Sequence, residues 1–196
     1  METQQCPNDE AITTNVYIVV PPSPLFAAHW SFFIPDAVAT DQGPQELSIG
    51  RRIHVSGDRL NGFELEIIRN YDFSKHRSAH GRKYAIGLME PAVIHTGSFL
   101  SKLREKDDED GGGYVDNTPV DDFERVCLEV DAPGPSLRTV SGNGARRPKM
   151  EVKDCQWWVS QVVDELEKRF VLLPLETSHE GETKKPTELI AALPRN

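Results

Sequence analysis

The chain has 196 residues, 38% hydrophobic and 27% charged, with a net charge of −9. That length carries one domain with a substantial core. The acidic balance argues against a broad electrostatic grip on nucleic acid or an anionic membrane. No apolar run reaches the roughly 18 residues needed to span a bilayer.

Residues 1–15 are polar and are expected to be disordered. They lack a basic region followed by an apolar stretch, so no secretory signal and a cytoplasmic location are expected. Short strand-like runs follow: NVYIVV, HWSFFIP, RRIHVSG and FELEIIRNY. In the last of these, Phe63, Leu65 and Ile67 alternate with Glu64 and Glu66, the period of a half-buried strand. PPSP, DQGP and DRLNG supply turn chemistry between the runs. KYAIGLM, residues 83–89, predicts one more strand.

Residues 101–119, with an acidic run ending in three glycines, read as a flexible insertion. DDFERVCLEV is ambiguous between helix and strand. A second flexible insertion is expected over 131–149, where Arg146, Arg147 and Lys149 form a small, solvated basic cluster. The clearest helix comes next. Val159, Val162, Val163, Leu166 and Phe170 recur as an amphipathic stripe, and Pro174 is expected to mark its end. Residues 176–196 read as a mobile tail with one weak apolar patch, ELIAAL. The pattern predicts a single α+β domain over 16–175, an antiparallel β-sheet packed against a core helix.

Three cysteines, Cys6, Cys127 and Cys155, make neither an even disulfide framework nor a CxxC pair. Cys6 lies in the N-terminal tail and Cys127 in an apolar run that reads as core. Cys155 is different. Asp154 stands where an N-cap belongs, which puts Cys155 at the first helical position. Unpaired N–H groups there favour a thiolate and can hold an acyl oxyanion, and Gln156 could add a donor.

A thiolate nucleophile needs a base and a group to orient it. His29 and His54 stand out, each in a predicted strand with apolar neighbours. His76 and His80 have the spacing of a helical metal pair, but they lie in a polar stretch with no third ligand. His95 and His179 carry no pattern. No metal and no cofactor are expected.

HWSFFIPD, RRIHVSGD and DCQWWV, in that order, resemble the segments of the lecithin:retinol acyltransferase-like proteins and their NlpC-type relatives. The chain also resembles a group of small fungal proteins of unknown function, through its HW, IHV-G and DCQWW segments and its PGPS turn. The first resemblance implies a circularly permuted papain-like fold. It matches His29 to the base, His54 to the orienting residue and Cys155 to the nucleophile. Gln156, Asp154 and Trp30 are then the residues expected around the substrate and its oxyanion.

The implied activity is acyl transfer through a Cys155 thioester, as a hydrolase or acyltransferase on a small amide, ester or aminoacyl substrate. Its partner is a small-molecule or acyl substrate, and no stable membrane anchor is expected. One alternative is a synthase of arginine-containing cyclodipeptides that draws on aminoacyl-tRNA. Another is a non-catalytic binding module that retains the fold, with Trp157 and Trp158 as core packing and Cys155 incidental.

Overall fold

In the computed structural model the described residues are 13–22, 28–40, 43–75, 81–90, 94–95, 112–136, 153–176 and 181–195. The strands are β1 (Thr14–Val20), β2 (Ser31–Thr40), β3 (Gly43–Asp58), β4 (Gly62–Asp72), β5 (Arg82–Met89), β6 (Ile94–His95) and β7 (Tyr114–Val115). They make one sheet in the order β5-β1-β2-β3-β4-β7, with the short β6 joined to β2. Every pairing in it is antiparallel except β2 with β6. A two-stranded ribbon, β8 (Leu175–Glu176) with β9 (Thr183–Lys184), stands apart. The helices are α1 (Asp122–Glu129), α2 (Cys155–Lys168) and α3 (Pro186–Ala191). The fold is thus α+β with a mostly antiparallel sheet and few helices.

The long β3–β4 hairpin sets the register on which the site depends. His54 lies opposite Glu66 and Asp58 opposite Gly62. Gly57 closes the turn at φ 137°, and a Cβ there would lie 2.2 Å from the Gly62 carbonyl oxygen. A glycine is required on both counts.

Alternation along the strands gives the sheet two faces. Phe32, Ile34, Ile53, Val55 and Ile67 pack toward the helices in the main core. On the other face Val19, Phe33 and Tyr71 form a second cluster with Tyr17, Ile68 and Phe73. Cations close that cluster: Lys83 Nζ lies 4.2 Å from the Tyr17 ring centroid, and the Arg52 guanidinium 5.6 Å from that of Tyr71.

DDFERVCLEV resolves as a helix. Asp121 caps α1 by accepting from the Glu124 amide at 2.9 Å, and Phe123, Val126 and Cys127 fill its buried face. Glu124 is fully buried and receives Arg51 Nη1 at 2.6 Å, both nitrogens of the Arg69 fork, and the Val120 amide at 2.9 Å. Arg51 also pairs with Asp121. This network fastens α1 to β3 and β4.

The stripe of α2 is buried at Val159, Val162, Val163 and Leu166, each contributing about 2 kcal/mol by leaving water. Phe170 departs from the expected stripe. The helix ends at Lys168, well before Pro174, and Phe170 takes φ 57° with 82% of its surface exposed. The Val171 and Leu172 amides turn back to the Leu166 carbonyl, so the chain reverses through Phe170 and throws its ring outward.

The expected mobile tail is also corrected in part, since α3 lies within it. Ile190 and Leu193 join the main core, and Thr187 donates through its amide and hydroxyl to Glu167 at 3.0 and 2.8 Å. Pro186 and Ile190, four apart on this helix, supply a face to bury, and Leu193 follows just beyond its end. Of the expected 101–119 insertion, 112–119 are described and include β7, while 101–111 lie outside the described residues. Residues 131–136, the start of the second expected insertion, are tied to the β3–β4 turn. Phe63 donates to the Pro133 carbonyl and Ser136 to the Arg59 carbonyl, both at 2.9 Å. Residues 137–149 lie outside the described residues, and so do 1–12 of the expected N-terminal tail. Asn15, and Thr14 before it, belong to β1.

Two substitutions test these packing assignments. Phe170→Gly should raise stability by about 1 kcal/mol, because it relieves the left-handed backbone cost while losing little contact; urea unfolding measures it. Glu124→Ala should lower it by roughly 3 to 5 kcal/mol, because Arg51 and Arg69 lose their buried counter-charge; a loss under about 1 kcal/mol would contradict the network's role.

Candidate active site

The site begins at the mouth of α2. Asp154 is the N-cap, accepting from the Gln156 and Trp157 amides at 3.1 Å each. Its other oxygen takes Arg59 Nη2 at 2.7 Å, which ties the helix start to the β3–β4 turn. Cys155 therefore occupies the first helical position, as the capping pattern predicts. Its side chain turns inward and only 7% of the residue is exposed.

Main-chain amides of Trp30, Gln156 and Cys155 itself reach the sulfur. They pull the thiol toward ionisation, as expected at a helix mouth. Burial outweighs them and, with the Asp154 charge, pushes the Cys155 thiol above its ordinary range. The expectation of a thiolate is corrected accordingly: the group rests as a thiol.

Gln156 is also placed differently from its expected role as an oxyanion donor. Its side-chain nitrogen donates to the Ala28 carbonyl at 2.8 Å and the Arg195 carbonyl at 3.2 Å. The amide thus braces the segment that carries His29. The Trp30 ring is fully buried, with Nε1 donating to the Pro194 carbonyl at 3.3 Å. Trp30 acts on the Cys155 sulfur through its main-chain amide.

His29 and Trp30 were expected inside a strand, yet they precede β2. Pairing of β2 with β1 stops at Val19 opposite Ser31, and beyond it the Trp30 amide turns to the Cys155 sulfur. His29 Nε2 lies 3.0 Å from His54 Nδ1, the rings meeting edge-on at 86°. His54 alternates with Ile53 and Val55, so it projects from the sheet face opposite the helices. The two histidines are in direct contact, and the main-chain amide of Trp30, the residue after His29, acts on the Cys155 sulfur.

Glu66 completes the row. Its Oε2 is 3.1 Å from His54 Nε2, across the β3–β4 ladder. The approach to the ring N–H is oblique, so the contact is more a charge facing a ring nitrogen than a straight hydrogen bond. In the sequence Glu66 is one of the alternating acidic positions of a half-buried strand, with no site signal of its own. The signal that finds it is the hairpin: a turn centred on Leu60 sets residues equally distant from it opposite one another, as with 54 and 66.

Burial lowers the His29 pKa from 6.5 to about 4, with the Arg52 charge adding to the effect. Arg52 sits on the same sheet face and donates from Nε to Ser31 Oγ at 3.2 Å.

Among the described residues no group of three His, Cys, Asp or Glu side chains could hold a metal ion. Cys127 is buried in the core. Cys6, His76, His80, His179, Arg146, Arg147 and Lys149 lie outside the described residues. None of the described helices is long and apolar enough to cross a membrane.

Residues 16–173 match a protein family of unknown function, DUF6540. The chain belongs to this family. No curated protein and no solved structure matches it. The DUF6540 match contains Cys155, His29, His54 and Glu66 and ends before α3, whose flanking carbonyls at Pro194 and Arg195 brace Trp30 and Gln156.

The depressed His29 pKa has a consequence for folding. Between pH 6.5 and about 4 the unfolded chain protonates this imidazole while the native chain resists, so stability falls as the pH drops through that window. The loss attributable to His29 should be about 3 kcal/mol. His29→Gln should flatten the pH dependence of urea midpoints by that amount; unchanged curves would contradict it.

Proposed function

We propose that this protein is a cysteine-dependent acyl-transfer enzyme of the circularly permuted papain-like type, with Cys155 as nucleophile, His29 as base and His54 as the group that orients the base. The observation that supports the reading is the contact of His29 with His54, together with the Trp30 main-chain amide, one residue after His29, acting on the Cys155 sulfur. A thiol paired with a neutral imidazole would suit general-base activation at the moment of attack.

In this reading the thiol proton passes to His29 as the sulfur electron pair forms the bond to an acyl carbon. The carbonyl π pair moves to oxygen, and that oxyanion is held by main-chain N–H groups at the helix mouth, that of Cys155 among them. Collapse expels the leaving group, which takes the proton from His29, and a Cys155 thioester remains. Water as acceptor makes the enzyme a hydrolase; an amine or alcohol makes it a transferase. His29 stays neutral to about pH 4, so base catalysis should persist into mildly acidic solution.

p-Nitrophenyl acetate is a suitable probe, with the adduct read by intact-protein mass spectrometry. A single acetyl group should appear on Cys155 and be absent from Cys155→Ala. His29→Ala should slow its formation by about 10²- to 10⁴-fold. Equal labelling of wild type and Cys155→Ala would sink the enzyme reading in favour of a binding module that keeps the fold.

A further inference from the structure

The functional reading uses Cys155, His29 and His54 and leaves a carboxylate at the far end of the row without a role. We propose that Glu66 is a positioning residue: it selects the tautomer of His54 and so leaves His29 Nδ1 as the bare nitrogen. The part of this inference that concerns the thiol proton rests on the acyl-transfer reading; the tautomer selection does not.

A neutral imidazole carries one N–H and one lone pair. The 3.0 Å contact between His29 Nε2 and His54 Nδ1 therefore needs a donor on one ring and an acceptor on the other. Two arrangements satisfy it. In the first, His54 carries its proton on Nε2, facing the Glu66 carboxylate, and His54 Nδ1 accepts from His29 Nε2–H. His29 Nδ1 is then a lone pair, able to take a proton. In the second, His54 carries its proton on Nδ1 and donates to His29 Nε2. His29 then holds its own proton on Nδ1 and cannot act as a base there.

Glu66 separates these two. In the second arrangement its negative oxygen would face the His54 Nε2 lone pair at 3.1 Å, beside a ring with 9% of its side chain exposed. Two acceptors at that distance repel, although the Glu66 side chain is 37% exposed and water screens the charge in part. The oblique approach weakens a directional hydrogen bond but not this charge effect. Arg52, on the same sheet face, opposes protonation of His29 and also interacts with the Glu66 charge. The hairpin register holds the selection in place, because a slip of one residue would move Glu66 to the helix face.

When Cys155 gives up its proton, His29 Nδ1 receives it and the ring becomes an imidazolium. Its Nε2–H remains donated to His54 Nδ1, and no proton need pass to Glu66.

The test is ring ¹⁵N NMR on the full chain at pH 7, comparing wild type with Glu66→Gln and with Glu64→Gln, a nearby exposed carboxylate, as control. Wild type and Glu64→Gln should show His54 as Nε2–H and His29 as Nε2–H. Glu66→Gln, which keeps the shape but offers either an oxygen or an NH₂, should populate both tautomers. With p-nitrophenyl acetate, Cys155 acetylation should slow about two-fold in Glu66→Gln, matching a fall of the productive tautomer to about one-half. The wild-type spectrum alone can overturn the proposal: a His54 Nδ1–H signal would do so even if Glu66→Gln failed to fold. A folded Glu66→Gln with wild-type tautomers would also overturn it. Tautomers that shift while acetylation ignores Cys155→Ala would leave the selection standing and remove the enzyme reading instead.

Discussion

Burial of the α2 stripe against the sheet is the constraint on which the site depends. Once Val159, Val162, Val163 and Leu166 are in the core, the helix N-terminus has no choice of neighbour. Its polar groups need partners there, and they find them at the start of β2: Gln156 on the Ala28 carbonyl, and the Cys155 sulfur beneath the Trp30 amide. Packing and site are one construction. The same desolvation that stabilises the core raises the Cys155 thiol and lowers the His29 imidazole, so both rest uncharged.

Strand β3 divides its duties by alternation. Arg51 faces the helices and is neutralised by Glu124 and Asp121 on α1. Arg52 faces the other way, over Tyr71 and onto Ser31. Ile53 returns to the core, and His54 turns to His29 and Glu66. Four consecutive residues thus serve two faces of one sheet, and a slip of one residue would turn Arg52 and His54 toward the helices and Ile53 away from them. The α1 ion network and the tight turn at Gly57 hold the register against that slip.

Much of this was legible along the chain. The alternation in FELEIIRNY, the apolar spacing of α2 and the Asp154 cap are local patterns, and each reappears as an element. The departures share a cause. Phe170 fitted the stripe by count, but the helix ended first and the left-handed reversal sent the ring to solvent. ELIAAL looked weak because its short helix needs the body of the domain for a partner. Gln156 looked like a free donor at a helix mouth until two carbonyls, one of them 39 residues further along the chain, claimed it.

The sequence by itself determined that Cys155 opens a capped helix and that His29 and His54 sit among strand-like, apolar neighbours, because caps and periodicity act over a few residues. Tertiary structure alone decided that the two histidines touch, that Glu66 stands behind them, and that the thiol is buried enough to stay protonated. Those outcomes depend on strand register and on desolvation by residues far apart in the chain, which no local pattern encodes.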